Sequence, residues 1–236
     1  MSTQSVVIIG GTSGIGLESG RQLAANGLRV LVTGRDKEKV DRVTQESPMM
    51  EARTVDAASS SSLIRLYESI GSFDHLVLSV SGAKGAGEFS GLSETDVREG
   101  MEQKFFAQFR AAQLALPHLN KTGSLTFVSA ISARAANPGT AGLAAINGAI
   151  EAMVKPLARE LRPLRVNAIS PGVVETPWWD RLPDEVRGPL LERSAAASLV
   201  GRNGTASDLA DAICFVIRNG FVTGTVMEVD GGLRLS

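Results

Sequence analysis

Short apolar runs alternate with stretches of helical spacing along most of the chain. The run at 5–9, Ser-Val-Val-Ile-Ile, is followed by a helical stretch at about 14–25, and the run at 29–33 by a Lys- and Glu-rich stretch from Asp36. Further runs lie at 51–55, 75–79, 124–129, 165–169 and 225–229. Most are continuous in Val, Ile and Leu, the pattern of strands buried on both faces rather than on one. Strands of this kind alternating with helices predict an α/β fold, a doubly wound parallel β-sheet of about seven strands with helices on both faces.

Two longer helices are expected, over about 94–119 and 139–161. The second carries Leu143, Ile146, Ile150, Met153, Leu157 and Leu161 at helical spacing. Pro156 falls inside it, removes one backbone hydrogen bond, and should cost about 3 kcal/mol unless the helix accommodates it. No repeat or long linker divides the chain, and the small polar stretch 57–62 is too short to do so. One domain over residues 1–236 is expected, with a small covering segment near 175–205.

The first strand runs directly into Gly10-Gly11-Thr12-Ser13-Gly14-Ile15-Gly16, which opens the first helix. Glycines let a backbone turn tightly and approach a pyrophosphate, and the helix N-terminus offers free N–H groups and a positive dipole end. The order strand, turn, helix points to dinucleotide binding through Gly10, Thr12, Ser13, Gly14, Ile15 and Gly16. Glycine-rich turns also occur in empty domains of similar fold.

With this turn, the chain resembles the short-chain dehydrogenase/reductase family over essentially its whole length, the Rossmann-type fold included. Asp56 ends the third strand, where the family's adenine-contacting acid lies. Ser79-Val80-Ser81-Gly82 stands in place of the family's Asn-Asn-Ala-Gly, with Ser79 and Gly82 as cofactor contacts. Arg165-Val166-Asn167-Ala168-Ile169-Ser170-Pro171-Gly172 looks like the sixth strand and its Pro-Gly turn. Pro171, Gly172, Val174 and Thr176 then correspond to the segment that holds the nicotinamide, and Val229-Asp230-Gly231-Gly232 to the C-terminal signature.

The end of strand two separates NADP(H) from NAD(H). An acid there binds a ribose 2′-hydroxyl, whereas this chain has Gly34 followed by Arg35. A guanidinium can take a 2′-phosphate through charge-assisted hydrogen bonds, so NADP(H) is expected over NAD(H). Alternatively, Arg35 is a surface residue paired with Asp36 or Glu38.

The resemblance implies hydride transfer between a nicotinamide and a small carbonyl or alcohol, with a Tyr as acid–base group, a Lys four residues on, a Ser and an Asn. Its alignment puts Leu143 at the Tyr position, Asn147 at the Lys, Ala130 at the Ser and Lys104 at the Asn. The chain contains one tyrosine, Tyr67, in the helix after strand three. A divergent branch without the usual Ser-Tyr-Lys set is therefore expected. Lys104, Ser129, Ser132 and Asn147 are the replacement candidates: a cation for a developing alkoxide, two hydroxyls for a substrate oxygen, and an amide for a ribose hydroxyl. The plainer roles are a Lys104 pairing with Glu99 or Glu102 or lying in a subunit contact, a serine satisfying a turn, and an asparagine bonding a local carbonyl. Lys84 reads as solvated, and Trp178 and Trp179 as lining a pocket or packing the cover.

The formal net charge is -1 over 236 residues, so no basic surplus invites nucleic acid or acidic lipid. The single cysteine, Cys214, suits a reducing compartment. The apolar run at 6–9 is too short for a signal peptide or membrane span, and a cytoplasmic protein is expected. His75 and His118 have no metal-site spacing, so no metal is expected. Phe105, Phe106 and Phe109 fit either a homodimer or homotetramer contact or the core. Three functions stay open: an NADP(H)-dependent oxidoreductase, a non-catalytic dinucleotide-binding protein, and a non-redox enzyme on the same scaffold.

Overall fold

The computed structural model describes residues 3–236, so residues 1 and 2 of the expected domain lie outside the described residues. In chain order the first half contains β1 (Ser5–Ile9), α1 (Gly14–Ala25), β2 (Arg29–Gly34), α2 (Lys37–Glu46), β3 (Met50–Thr54), α3 (Ser60–Ile70), β4 (Phe73–Leu78), α4 (Glu94–Gly100) and α5 (Ala107–Ala115). The second half contains β5 (Leu119–Val128), α6 (Ala141–Glu160), β6 (Arg165–Pro171), β7 (Val174–Glu175), α7 (Asp184–Ala197), β8 (Gly204–Thr205), α8 (Ala206–Arg218) and β9 (Val226–Val229). Seven strands form one sheet in the order β3-β2-β1-β4-β5-β6-β9. Every neighbouring pair in it is parallel.

The continuous apolar runs are buried on both faces, as expected of such a sheet. Successive side chains alternate between faces. Val7, Ile9, Leu76 and Leu78 pack with Leu63, Tyr67, Ala111, Ile150 and Val154 on one side. Val6, Ile8, Val32 and Val77 pack with Leu23, Leu209, Ile213 and Val216 on the other. The second layer depends on α8, which the sequence reading did not anticipate. Its start is a capping box, with Thr205 accepting from the Asp208 amide and the Asp208 carboxylate accepting from the Thr205 amide.

The continuous helix expected over 94–119 is a correction. The structure divides it into α4, a π-helical turn at Met101–Phe106, and α5. A wider turn changes which way side chains face, and here it brings Lys104 inward until the residue is only 8% exposed. The helix then stops before Pro117, which has no N–H to bond the preceding turn. Leu119 already belongs to β5, five residues before the expected strand start, and pairs with Phe73. Pro156, by contrast, does not end α6, which runs on to Glu160 with the proline on its exposed side.

β7 and β8 pair as a two-residue ladder, Val174 with Gly204 and Glu175 with Thr205. They bracket the segment expected to cover the site, which contains a short 3-10 turn at Pro177–Arg181 and α7.

Candidate active site and cofactor crevice

Strand order reverses between β1 and β4, and ligands of doubly wound sheets bind outside the carboxyl ends of strands at such a point. The glycine turn sits there. Gly10 has φ +85, and a Cβ on it would lie 2.9 Å from the Ser79 backbone. A Cβ on Gly16 would run into the Gly10 carbonyl. No side chain caps the N-terminus of α1, and no acid stands in its first turn. The first amides and the dipole are thus left for an anion, with exposed Ser13 and half-buried Thr12 and Ile15 beside them.

At the end of β2, the Thr12 side chain lies over Gly34. Arg35 is exposed, and among the described residues it has neither an ion pair nor a hydrogen bond. Asp36 is engaged elsewhere, accepting from the Glu38 and Lys39 amides at 3.0 and 3.3 Å as the cap of α2. The alternative pairing of Arg35 with Asp36 or Glu38 is therefore not present. Asp56 is exposed after β3 and accepts from the Ala58 amide at 2.9 Å.

The other wall is made after β6. Pro171 ends that strand, and the Gly172 amide donates to the Val229 carbonyl at 3.1 Å. Val174 is buried, and Thr176 lies against Gly14. Beyond it, Trp178 Nε1 donates to the Gly82 carbonyl at 3.2 Å, and the Arg181 guanidinium lies over the Trp178 ring. Trp179 Nε1 instead donates to the Val174 carbonyl at 2.8 Å. The segment after β7 thus touches the loop after β4.

A polar cluster fills the end of β5. Lys104 Nζ donates to the Ser129 carbonyl at 2.8 Å. Ser129 Oγ donates to Glu151 Oε1 at 2.8 Å and to the Ile169 carbonyl at 3.3 Å. Arg134 Nε donates to Glu151 Oε2 at 2.8 Å, and its Nη1 to Glu228 Oε1 at 2.7 Å. Asn147 Nδ2 donates to Ser132 Oγ at 3.0 Å and to the Leu143 carbonyl at 2.9 Å, while Asn147 Oδ1 is buried without a partner. Burial pushes the Lys104 ammonium down from 10.5 to about 8, against the opposing pull of the Glu151 carboxylate.

A family model described as enoyl-(acyl carrier protein) reductase matches residues 10–234. The short-chain dehydrogenase/reductase ATR9 of Stachybotrys chlorohalonatus is 30% identical over 251 residues, covering 98% of this chain and 97% of the relative. The chain belongs to the short-chain dehydrogenase/reductase family. The 3-oxoacyl-(acyl-carrier-protein) reductase of Thermotoga maritima is 28% identical over 241 residues, covering 96% of each chain. Among solved structures, a small-chain dehydrogenase in complex with NADPH superposes with TM-score 0.87 at 33% identity over 100% of both chains.

Within this family fold the expected residues fall into two groups. Of the first group, Gly10 lies against Ser79, Gly14 against Thr176 and Thr12 over Gly34 beside Arg35, while the Gly82 carbonyl meets Trp178. Lys104, Ser129, Ser132 and Asn147 fall into two hydrogen-bonded pairs just after β5, Lys104 with Ser129 and Asn147 with Ser132. Lys104 pairs with neither Glu99 nor Glu102: Glu99 lies 3.9 Å from Lys84, and Glu102 3.7 Å from Arg110. Lys84 is held by Asp96 at 2.8 Å rather than simply solvated. Ser129 is 2% exposed, and its hydroxyl proton is shared by Glu151 and Ile169. Asn147 is 3% exposed with both amide protons engaged, so only its unpartnered Oδ1 is left to accept from a ligand hydroxyl. Glu151 and Arg134 were missed. The signal was present in the spacing Leu143, Asn147, Glu151, one residue per turn on one face of α6.

Proposed function

We propose that the protein is an NADP(H)-dependent oxidoreductase that exchanges a hydride with a small carbonyl or alcohol substrate, using non-standard acid–base residues. The observation that carries the cofactor is Arg35, an unpaired guanidinium beside Gly34 and Thr12, on the same rim as the uncapped start of α1. A ribose 2′-phosphate supplies the anion that Arg35 lacks. The pyrophosphate fits the glycine turn, where a Cβ on Gly10 or Gly16 would collide with backbone. Val174 and Thr176 hold the nicotinamide end, and Asp56 and Ser79 the adenosine side. The cofactor, when bound, supplies or accepts the hydride.

The chemistry departs from the family's usual set. Leu143 stands at the Tyr position, Asn147 at the Lys and Ala130 at the Ser. Tyr67 cannot substitute, since it is fully buried with its hydroxyl donating to the Ala111 carbonyl at 2.9 Å. Lys104 is the acid and cation of the site. Ser129 takes one of its three N–H donors, and the other two are available to stabilise negative charge developing on a substrate oxygen. Ser132 Oγ accepts from Asn147 and keeps its own proton to donate.

The test is twofold. Titration should give tighter binding of NADPH than of NADH, and equal affinities would remove the Arg35 argument. Single-turnover oxidation of bound NADPH across a carbonyl panel should find a substrate, and Lys104→Met should slow its reduction at least tenfold. A second reading, a non-catalytic NADP(H)-binding protein, is favoured by the engaged Ser129 hydroxyl and Asn147 amide. It predicts tight NADPH binding with no oxidation of the cofactor against any carbonyl.

The exposed faces of Phe106 and Phe109, 41% and 40% accessible on neighbouring turns, support self-association through this helix pair. Among the described residues no helix is long and apolar enough to cross a membrane. A cytoplasmic setting remains part of the proposed reading.

A further inference from the structure

The polar cluster at the end of β5 continues as a row of alternating charge. From Lys104 it passes through Ser129 to Glu151, then to Arg134 and Glu228. Arg234 Nε meets Glu228 Oε2 at 2.6 Å, and Arg234 Nη1 meets Asp230 Oδ1 at 2.8 Å. The row joins the π-helical turn, the end of β5, α6, β9 and the C-terminal turn. Its cations are Lys104, Arg134 and Arg234, and its anions are Glu151, Glu228 and Asp230. The count balances only when Lys104 carries its proton.

Burial makes the balance matter. The Glu151 side chain is 8% exposed and Lys104 is 8% exposed, so neither charge is screened by bulk water. Arg134, at 41%, is the most exposed member, followed by Arg234 at 31%. If Lys104 were neutral, Glu151 would share Arg134 with Glu228 and the row would hold one excess negative charge. The groups that act on Lys104 are the Ser129 carbonyl just after β5, to which it donates, and the Glu151 carboxylate of α6, whose charge opposes the effect of burial. Within its own turn, Glu102 points out to Arg110 at 3.7 Å. Glu151 is thus the one carboxylate on the inner side.

We propose that Glu151 is the positioning residue for Lys104: through Ser129 it fixes the ammonium at the end of β5 and keeps it charged, while Arg134 and the C-terminal turn set how much of the Glu151 charge Lys104 receives. This rests on the reading of Lys104 as the acid of the site. It adds a residue that acts at a distance, without touching substrate or cofactor. Lys104 donates at one end of the row, and Glu228 on β9 and Asp230 after it, both paired with Arg234, anchor the other.

The test reads the proton on Lys104 directly. The chain has six lysines, so ¹³Cε-labelled lysine gives a countable spectrum, with Lys104 assigned as the signal absent from Lys104→Arg. Titrated by NMR, Glu151→Gln should lower the Lys104 midpoint by one unit or more, and Glu151→Asp should recover at least half of that fall. Arg134→Met, which releases Glu151 to Lys104, should raise it. A purely structural Glu151 would change thermal stability in these variants and leave the midpoint alone, which would overturn the proposal. Should Glu151→Gln fail to fold, Glu228→Gln serves. Arg134 then leans wholly on Glu151 and the Lys104 midpoint falls, whereas an unchanged or raised midpoint refutes the row. The titration needs no substrate. Shifted midpoints with unimpaired turnover in Lys104→Met would sink the acid assignment and leave the coupling standing.

Discussion

Replacing Lys104 by Met gives a pH signature whose sign follows from the structure. Burial pushes the folded-state ammonium down to about 8, while the unfolded chain keeps the ordinary 10.5. Between those values the unfolded state binds more protons than the folded one, so Lys104 makes the protein gain stability as pH rises. From pH 7 to pH 9.5 the two titration curves give a gain of about 2 kcal/mol for wild type over a variant without the amine. At pH 7 the methionine removes a buried charge but leaves the Ser129 carbonyl unpaired, a loss of about 1–3 kcal/mol, so the absolute difference there is small. The slope is the informative quantity.

Urea unfolding of both proteins at half-unit steps from pH 7 to 9.5 measures it. Other groups titrate in this range too. Burial raises the Cys214 thiol to about 11 and pushes the Tyr67 phenol higher still, and both weaken the fold at alkaline pH. These contributions are common to the two proteins and cancel in the difference. A difference that stays flat across the range would mean that Lys104 is not a desolvated cation, and the account of the β5 cluster would fall with it.

Three further outcomes are expected. Arg35→Ala should weaken NADPH about ten- to a hundredfold, the loss of charge-assisted bonds to a phosphate, and change NADH affinity little; parallel fluorescence titrations decide. Gly16→Ala should abolish cofactor binding, because the new Cβ meets the Gly10 carbonyl; a variant binding NADPH normally would show that the turn relaxes freely. Tyr67→Phe should cost about 1 kcal/mol in thermal unfolding, from the lost bond to Ala111, and leave NADPH affinity untouched.

What was legible in the sequence divides along a physical line. The first β–α unit, Gly10 to Gly16 and the unpaired Arg35 are local features. Continuous burial, φ > 0 and a free helix terminus each leave a mark within a few residues of chain. The break in the helix over 94–119 left no such mark. It goes with a contact from Lys104 to Ser129, 25 positions away. Pro117 did mark the end of that helix, but the helical spacing before it was allowed to run on into β5. Ser129 and Asn147 show where reading residue type stops short of geometry. Residue type says that a hydroxyl or an amide can bond a ligand, and only packing says that Glu151, Ile169, Ser132 and Leu143 have taken those bonds. Glu151 escaped for the converse reason, since a charged residue on a long helix usually faces water, and this one is drawn inward by Ser129 and Arg134.

The exchange between positions 104 and 147 bears on what chemistry survives. The family resemblance expects an amide at 104 and an ammonium at 147, and the chain carries the reverse. On the proposed reading the cation has changed helices: Lys104 reaches the Ser129 carbonyl, and Asn147 reaches Ser132 three residues along the same connection. Lys155, the one lysine on α6, faces solvent and offers no substitute. A site that retains a buried positive charge and lacks a phenol keeps the means to stabilise an oxyanion while losing the ordinary path for its proton. On the proposed reading, turnover should therefore follow the protonation of Lys104, falling as pH rises through about 8, and Glu151→Gln should move that fall to lower pH. An activity that instead rose with pH through about 8 would make the neutral Lys104 amine a base and refute its assignment as the acid.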